Sequence, residues 1–233
     1  MRPLLLTVAA VVALGLTACG GDDGNGNASA TGPVTMNQRV VIEEDAPDFE
    51  ADPVEKPVSA SGPDEFVSRL GDRFVNPTPE EVDSLKTGGF IKALHVTRFS
   101  PETSGGPHMR SAPHIYSLVM QFDSETGATD ALAIFHADSL RPCPKTCVEQ
   151  AEEFDVADIP NAQGTHRFAT AESIQQTGDT EETPFDGYEV EFADGVFAYR
   201  VILAGPPGKV SQDEAEEIAK SLYDRVKGAP ANG

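Results

Sequence analysis

Two cysteines, Cys143 and Cys147, are separated by three residues in the segment LRPCPKTCVEQ. Outside the cytoplasm, a pair at this spacing most simply forms a disulfide. The closed loop is so short that the bridge would add only about 2 kcal/mol, so we expect it to fix the turn after a helix. The alternatives are a redox pair, although the spacing is not Cys-x-x-Cys, and a metal thiolate site, although two further zinc ligands are not near in sequence.

A second candidate for chemistry is the Gly/Pro-rich loop SGGPHMRSAPH at 104–114, which carries His108, Met109 and His114. Imidazole and thioether ligands together suit copper, so metal capture through this loop is the alternative function that the sequence allows. His114 is also in phase with the apolar positions of the strand that follows, which would make it a packed histidine instead. Apart from this metal alternative, we expect no cofactor.

The third candidate is Cys19, which follows an apolar run from Pro3 to Leu16 and ends the sequence Leu16-Thr17-Ala18-Cys19. The run is about 14 residues long, and a helix needs about 20 residues to cross a bilayer. The segment resembles the bacterial lipoprotein signal, whose lipobox is a Leu, two small residues and a Cys. The resemblance implies that residues 1–18 are a signal peptide and that Cys19 is diacylated; the other interpretation is an ordinary signal peptide with an incidental cysteine.

Acylation at Cys19 would make the lipid bilayer the first partner of the protein and would place it on the extracytoplasmic face of the cell membrane. Two or three acyl chains on one residue are enough for stable anchoring, whereas one chain is not.

The charge of the chain restricts its other partners, because 38 acidic and 17 basic residues give a formal charge of −21. Coulomb repulsion at this charge excludes nucleic acid as a partner. The acidity has two interpretations: a soluble surface that does not aggregate, or an affinity for cations or for a basic partner.

Composition divides the chain into a polar leader and one domain. Residues 19–62 are rich in Gly, Pro and acid, which predicts a flexible tether after the lipidated cysteine, with the apolar patch at 39–44 as its one possible strand. Residues 63–229 are long enough for one domain with a hydrophobic core, and 230–233 would be a disordered tail.

Four helices are predicted from caps and apolar spacing. Thr78-Pro79-Glu80-Glu81 is a capping box whose helix ends at Gly88-Gly89, and Ser211 begins a helix that extends to about Lys227. A third helix is predicted over 125–140, and a shorter one over 64–72.

Strands are predicted from alternation at 114–122 and 187–205. A further strand is predicted at 90–99, where both faces mix polar and apolar residues and the sequence does not indicate which one is buried. Asp194-Gly195 would be a two-residue turn, with Phe192 opposite Phe197 on an apolar face covered by Ile218 and Leu222. The opposite face, which carries Glu189, Glu191 and Arg200, would be solvated.

These elements predict an α+β fold: an antiparallel sheet with helices packed on one face, and a possible degenerate ββα duplication. We expect a ligand pocket between the sheet and the helices, lined by Tyr116, Tyr188 and Tyr199.

The layout resembles uncharacterised secreted lipoproteins of high-GC Gram-positive bacteria. They share a lipobox, a polar tether, a small α+β domain, a hairpin that matches Phe192-Ala193-Asp194-Gly195 here, and a final amphipathic helix. Some members look like the PsbP-type sandwich or the extracellular sensor domains of receptor kinases. The resemblance covers most of the chain, but it transfers no catalytic residue.

The sequence therefore favours a non-enzymatic, lipid-anchored module that binds an envelope ligand or protein. Metal capture is the second hypothesis, and an envelope hydrolase is the third, although no Gly-x-Ser-x-Gly motif is present.

Overall fold

The computed structural model describes residues 34–71, 78–101, 112–140, 150–174 and 180–230. The strands are β1 (Glu50–Ala51), β2 (Val58–Ala60), β3 (Phe90–Phe99), β4 (His114–Phe122), β5 (Gln150–Phe154), β6 (Gln163–Ile174), β7 (Thr180–Asp194) and β8 (Phe197–Gly205). The helices are α1 (Pro63–Phe66), α2 (Pro79–Thr87), α3 (Glu125–Ser139) and α4 (Gln212–Val226). A 3₁₀ turn lies at Met36–Gln38, and a π-helical turn, Val67–Gly71, continues α1.

The strands form one sheet in the order β1-β3-β4-β8-β7-β6-β5, with β2 also paired to β3. Every pair is antiparallel. The predicted α+β class and the antiparallel sheet are confirmed. The order strand, strand, helix occurs twice, as β3-β4-α3 and as β7-β8-α4.

The predicted caps position two of the helices. The side chain of Thr78 accepts a hydrogen bond from the Glu81 N–H at 3.3 Å, and that of Ser211 accepts one from the Glu214 N–H at 3.3 Å. α2 and α4 begin one residue after these caps, as predicted.

Helices cover both faces of the sheet, so the prediction that they pack on one face is wrong. One face, which we call the α4 face, buries Val190, Phe192 and Tyr199 in one core cluster with residues of α4. The other, the α3 face, buries Leu118 and Met120 in a second cluster with residues of α1, α2 and α3. Strand side chains alternate between faces, and both sets of alternate positions on β4 and β8 are buried, so each set requires its own cover.

Residues 34–62 belong to the folded domain, which corrects the prediction of a flexible tether up to residue 62. Val40, Val41 and Phe49 are buried in the α4-face core. Asp45 forms an ion pair with Arg225 of α4. Of the predicted tether, only residues 19–33, which begin with Cys19, lie outside the described residues. The predicted signal peptide, residues 1–18, lies outside them as well.

Arg39 fastens this N-terminal segment to the end of the domain. Its side chain is buried, with the guanidinium 3.8 Å above the Phe197 ring. Nη1 donates to the Tyr199 hydroxyl at 2.7 Å, and Nη2 donates to the carbonyls of Ala229 and Pro230 at 2.9 and 3.0 Å. Pro230 is thus part of the folded unit rather than of a tail, and 231–233 lie outside the described residues.

The hairpin between β7 and β8 has the predicted faces but a different register. Gly195 and Val196 form the loop, so that Asp194 pairs with Phe197 and Phe192 pairs with Tyr199, not with Phe197. Gly195 has φ +55° and occupies the first loop position, whereas the prediction placed it second. This moves the pairing by two residues, which preserves the faces, so Phe192 and Phe197 are both buried with Ile218 and Leu222 as expected.

Candidate functional site

The strand register aligns charged side chains across the α3 face. Glu153 of β5 pairs with Thr165 of β6, and Thr165 pairs with Glu189 of β7. Two residues further along β7, Glu191 pairs with Arg200 of β8. Directly paired residues project to the same face, so these five side chains form one polar patch, which we call the charge cluster.

Helix α3 covers this patch with its last two turns, from which His136 and Ser139 face the sheet. Ser139 Oγ donates to Glu189 Oε1 at 3.0 Å and lies 2.5 Å from Arg200 Nη2, while Arg200 Nε donates to Glu189. Glu189 and Arg200 are each 1% exposed, and Ser139 is fully buried. Burial alone would raise the pKa of Glu189, but the attraction of Arg200 and its hydrogen bonds hold that pKa below the ordinary value.

Glu191 is a second, differently placed carboxyl in the same buried space. It is 1% exposed and lies 3.3 Å from Arg200 Nε, but that guanidinium is already committed to Glu189. Burial and repulsion from Glu189 raise the pKa of Glu191 to about 8, despite the opposing attraction of Arg200. Two carboxyls that share one cation thus titrate together, with the pKa of Glu189 lowered and that of Glu191 raised.

His136 connects the charge cluster to solvent. Its Nδ1 lies 3.4 Å from Glu191 Oε2 and 3.4 Å from Thr165 Oγ1, and its Nε2 lies 2.9 Å from Glu153 Oε1. The contact with Glu191 raises the pKa of His136 to about 9, against the effect of burial and with the help of Glu153. The imidazole is therefore a cation at neutral pH. Its Nδ1 faces the buried Glu191 and Thr165, and its Nε2 is hydrogen-bonded to the exposed Glu153.

A groove of about 680 Å³ opens beside this imidazolium. We call it the His136 groove, and its lining residues are His136, Glu153, Phe154, Asp155, Val156, Ala162, Gln163 and Gly164. Gly164 permits the close packing of the wall, since a Cβ there would lie 2.3 Å from the Phe154 ring. The groove thus combines an apolar wall, two rim carboxylates and one buried cation.

The sequence did not indicate the charge cluster, because Glu189, Glu191 and Arg200 alternate with apolar residues in the manner of a solvated strand face. The prediction that this face meets water is wrong, since α3 lies over it. The available signal was in α3 itself, where Ala128, Ala131, Leu132 and Phe135 needed a sheet face to cover and His136 and Ser139 needed polar partners.

The three tyrosines predicted to line one pocket do not come together. Tyr116 pairs with Ile202 on the α3 face, whereas Tyr188 and Tyr199 pair with Leu203 and Phe192 on the α4 face. Tyr199 is fully buried beneath Arg39, and Tyr188 stacks on His166 with ring centroids 4.4 Å apart. The register of β4 with β8 is the reason. Tyr116 pairs with Ile202, so both side chains project to the α3 face, whereas Tyr199 lies an odd number of residues from Ile202 and projects to the α4 face.

Of the predicted metal-loop residues, the structure describes His114 alone. It is buried, its Nδ1 lies 2.8 Å from the Ala112 carbonyl, and its ring lies against Phe99 and Tyr116. This is the packed-histidine interpretation. His108, Met109, Cys143 and Cys147 lie outside the described residues, and within the described part no group of three or more His, Cys, Asp or Glu side chains could hold a metal ion.

Comparison with known proteins gives a structural similarity but no family. No protein-family model matches this chain, and no curated protein matches it. The crystal structure of the extracellular domain of PknH from Mycobacterium tuberculosis aligns with a TM-score of 0.49 and 11% sequence identity, over 84% of this chain and 98% of that one. Across the described ranges, no helix combines the length and the apolar character needed to cross a membrane.

Proposed function

We propose that this protein is a membrane-anchored lipoprotein of the extracytoplasmic side that binds a ligand or a partner segment in the His136 groove without catalysis. The observation that carries the binding part is the groove itself: a concave surface with an apolar wall that ends on a fixed, buried imidazolium. A concave surface on which a few fixed polar groups converge is typical of a binding site.

Anchoring is supported by the sequence Leu16-Thr17-Ala18-Cys19 at the end of the apolar run. The partners would be the bilayer, reached through the acylated cysteine, and an envelope ligand or protein. The charge of −21 argues against nucleic acid.

A binding role is favoured over catalysis by the state of the groups at the groove. A general base works best when its pKa is close to the operating pH, and the pKa of about 9 leaves His136 protonated. Ser139, the nearest hydroxyl on the same helix, is fully buried and bonded to Glu189. These groups are arranged to hold charge in place rather than to transfer a proton.

The anchor is tested by feeding cells a clickable fatty acid and following the chain in membrane fractions. Cys19→Ala should lose the label and leave the membrane fraction, while the matched variant Cys143→Ala should keep both. An unlabelled wild-type chain, or membrane retention of Cys19→Ala equal to that of the wild type, would contradict the proposal.

The groove is tested by ¹⁹F-NMR screening of a fluorinated fragment library against the full chain. Gln163 is exposed on the groove wall, so Gln163→Trp should abolish the binding of fragments that shift the Gly164 amide. Asp130→Trp, on the exposed side of α3, is the matched control and should leave binding intact. Fragments that bind both variants equally would place the binding site elsewhere.

A further inference from the structure

We propose that the His136 groove is a carboxylate-binding site in which the Glu153 side chain occupies the position of a ligand carboxylate. The inference rests on the proposed binding function and deepens it by naming the ligand class: a small polar carboxylate.

The donor that would hold the ligand is fixed from beneath. His136 is 8% exposed, and its Nδ1 faces Glu191 and Thr165, which are each 1% exposed. Only Nε2 faces outward, 2.9 Å from Glu153. A charged N–H held in one direction at the base of a groove is a preorganised partner for an anionic oxygen.

Glu153, the group now bonded to this donor, is the one that can leave. Its side chain is 67% exposed and lies on the edge strand β5. Exposed ion pairs contribute little to stability, so rotating Glu153 into water costs the protein little. An incoming carboxylate would repeat the same hydrogen bond, and no buried group would have to move.

The other lining residues define what the carboxylate would be attached to. The exposed Gln163 side chain offers an amide, and Asp155 stands at the rim. Phe154, Val156 and Ala162 also line the groove, but they pack against the α4-face core. A small polar ligand that carries a carboxylate and an amide matches this lining.

Three probes that differ only in charge test the inference: N-acetylvaline (anionic), N-acetylvalinamide (neutral) and valinamide (cationic). The full chain is reconstituted in nanodiscs, and binding is followed by NMR shifts of the His136 imidazole and the Gly164 amide, with empty nanodiscs as the blank. N-acetylvaline should shift both signals, and N-acetylvalinamide should bind at least tenfold more weakly, because a charge-assisted hydrogen bond is lost.

Two rim variants separate displacement of Glu153 from a general charge effect. Glu153→Gln removes the internal competitor and should tighten N-acetylvaline binding by about fivefold, the range of an exposed ion pair. Asp155→Asn removes an equal charge from the same rim without touching His136, and should change the affinity by less than twofold. Tighter binding cannot result from a misfolded variant, so the result with Glu153→Gln is decisive by itself.

Equal tightening by Glu153→Gln and Asp155→Asn would overturn the inference, as would weaker N-acetylvaline binding by Glu153→Gln. Binding of valinamide in the groove without binding of N-acetylvaline would reject the carboxylate class but leave the proposed binding function standing. Absence of shifts with all three probes, in the wild type and in Glu153→Gln, would also overturn the inference, and the fragment screen would then decide the proposed function by itself.

Discussion

Both faces of the sheet are buried, but the hairpin of β7 and β8 presents different side chains to each. On the α4 face, Phe192 stacks on Tyr199 with ring centroids 4.7 Å apart and meets the Tyr223 ring edge-on at 5.7 Å. On the α3 face, the same two strands present Glu189, Glu191 and Arg200, each 1% exposed. One hairpin thus stabilises an apolar core with one set of alternate residues and holds a buried charge cluster with the other.

The difference teaches what each face is for. Apolar burial is favourable without any particular geometry, whereas buried ions lose hydration energy that their mutual attraction only just recovers. An apolar set of the same size would serve stability at least as well. The charges on the α3 face therefore act beyond stability, and on the proposed function they hold His136 as a cation in the groove.

The largest effect is expected from Phe192→Ala on the α4 face. The fully buried ring leaves a cavity beside Tyr199, so the free energy of unfolding should fall by about 3–5 kcal/mol. Urea unfolding measures it, with Val54→Ala, at a 70% exposed residue, as the control that should change by less than about 0.5 kcal/mol. Equal losses for the two variants would mean that the α4 face is not the main core.

On the α3 face, Arg200→Met should destabilise by about 3 kcal/mol, because Glu189 is left buried without its cation. The triple variant Glu189→Leu, Glu191→Leu, Arg200→Met should recover most of this loss, since an apolar set of similar volume needs no counter-ion. Both are measured by urea unfolding. If the triple variant were less stable than Arg200→Met alone, the charges would be needed for the fold itself.

Stability should fall as pH rises from about 6.5 to 9. His136 has a raised pKa of about 9, so its contribution is complete below its unfolded pKa of about 6.5 and is lost as the pH passes 9. Glu191 has a raised pKa of about 8 and an unfolded pKa of about 4.3, so it lowers stability as the pH rises towards 8, over the lower part of the same window. The slope should reach at most about 1.4 kcal/mol per pH unit for each proton released.

Glu191→Gln is the matched control for this pH dependence. It keeps the shape of the side chain but removes one titrating group and the carboxyl that contacts His136 Nδ1. The unfolding free energy of the variant should change less between pH 6.5 and 9 than that of the wild type. An unchanged slope would show that the charge cluster does not set the pH dependence.

The smallest effect is expected from Glu153→Gln, which removes the exposed partner of His136. Its side chain is 67% exposed, so the unfolding free energy should change by less than about 1 kcal/mol. Thermal unfolding at low and high salt checks this, because an exposed pair is screened by salt. A loss as large as that of Arg200→Met would make Glu153 a part of the buried cluster rather than its lid.

Sequence patterns predicted the helices and strands better than they predicted which element packs over which face of the sheet. The helix capped by Thr78, the helix that follows Ser211 and the hairpin around Gly195 depend on local chemistry. Both helices form where expected, and the hairpin forms there with its register moved by two residues. The burial of Glu191 depends on α3, which lies about 50 residues earlier in the chain, and no local pattern reports such a contact. Val40 and Phe49 were missed for the same reason, because two or three apolar residues in an acidic segment have meaning only once α4 is present to receive them.

The contacts of Arg39 with the end of the domain limit how far the domain can lie from the membrane. If the chain is held in the bilayer through Cys19, the folded domain already includes Val34, fifteen residues later, and a fully extended chain covers at most about 3.5 Å per residue. The domain then stays within about 50 Å of the lipid surface, where a tether up to residue 62 would have allowed about 150 Å. Because Arg39 also contacts Ala229 and Pro230, both ends of the domain leave from one place, which would turn that side toward the membrane and limit the ligands it meets to those close to the lipid surface.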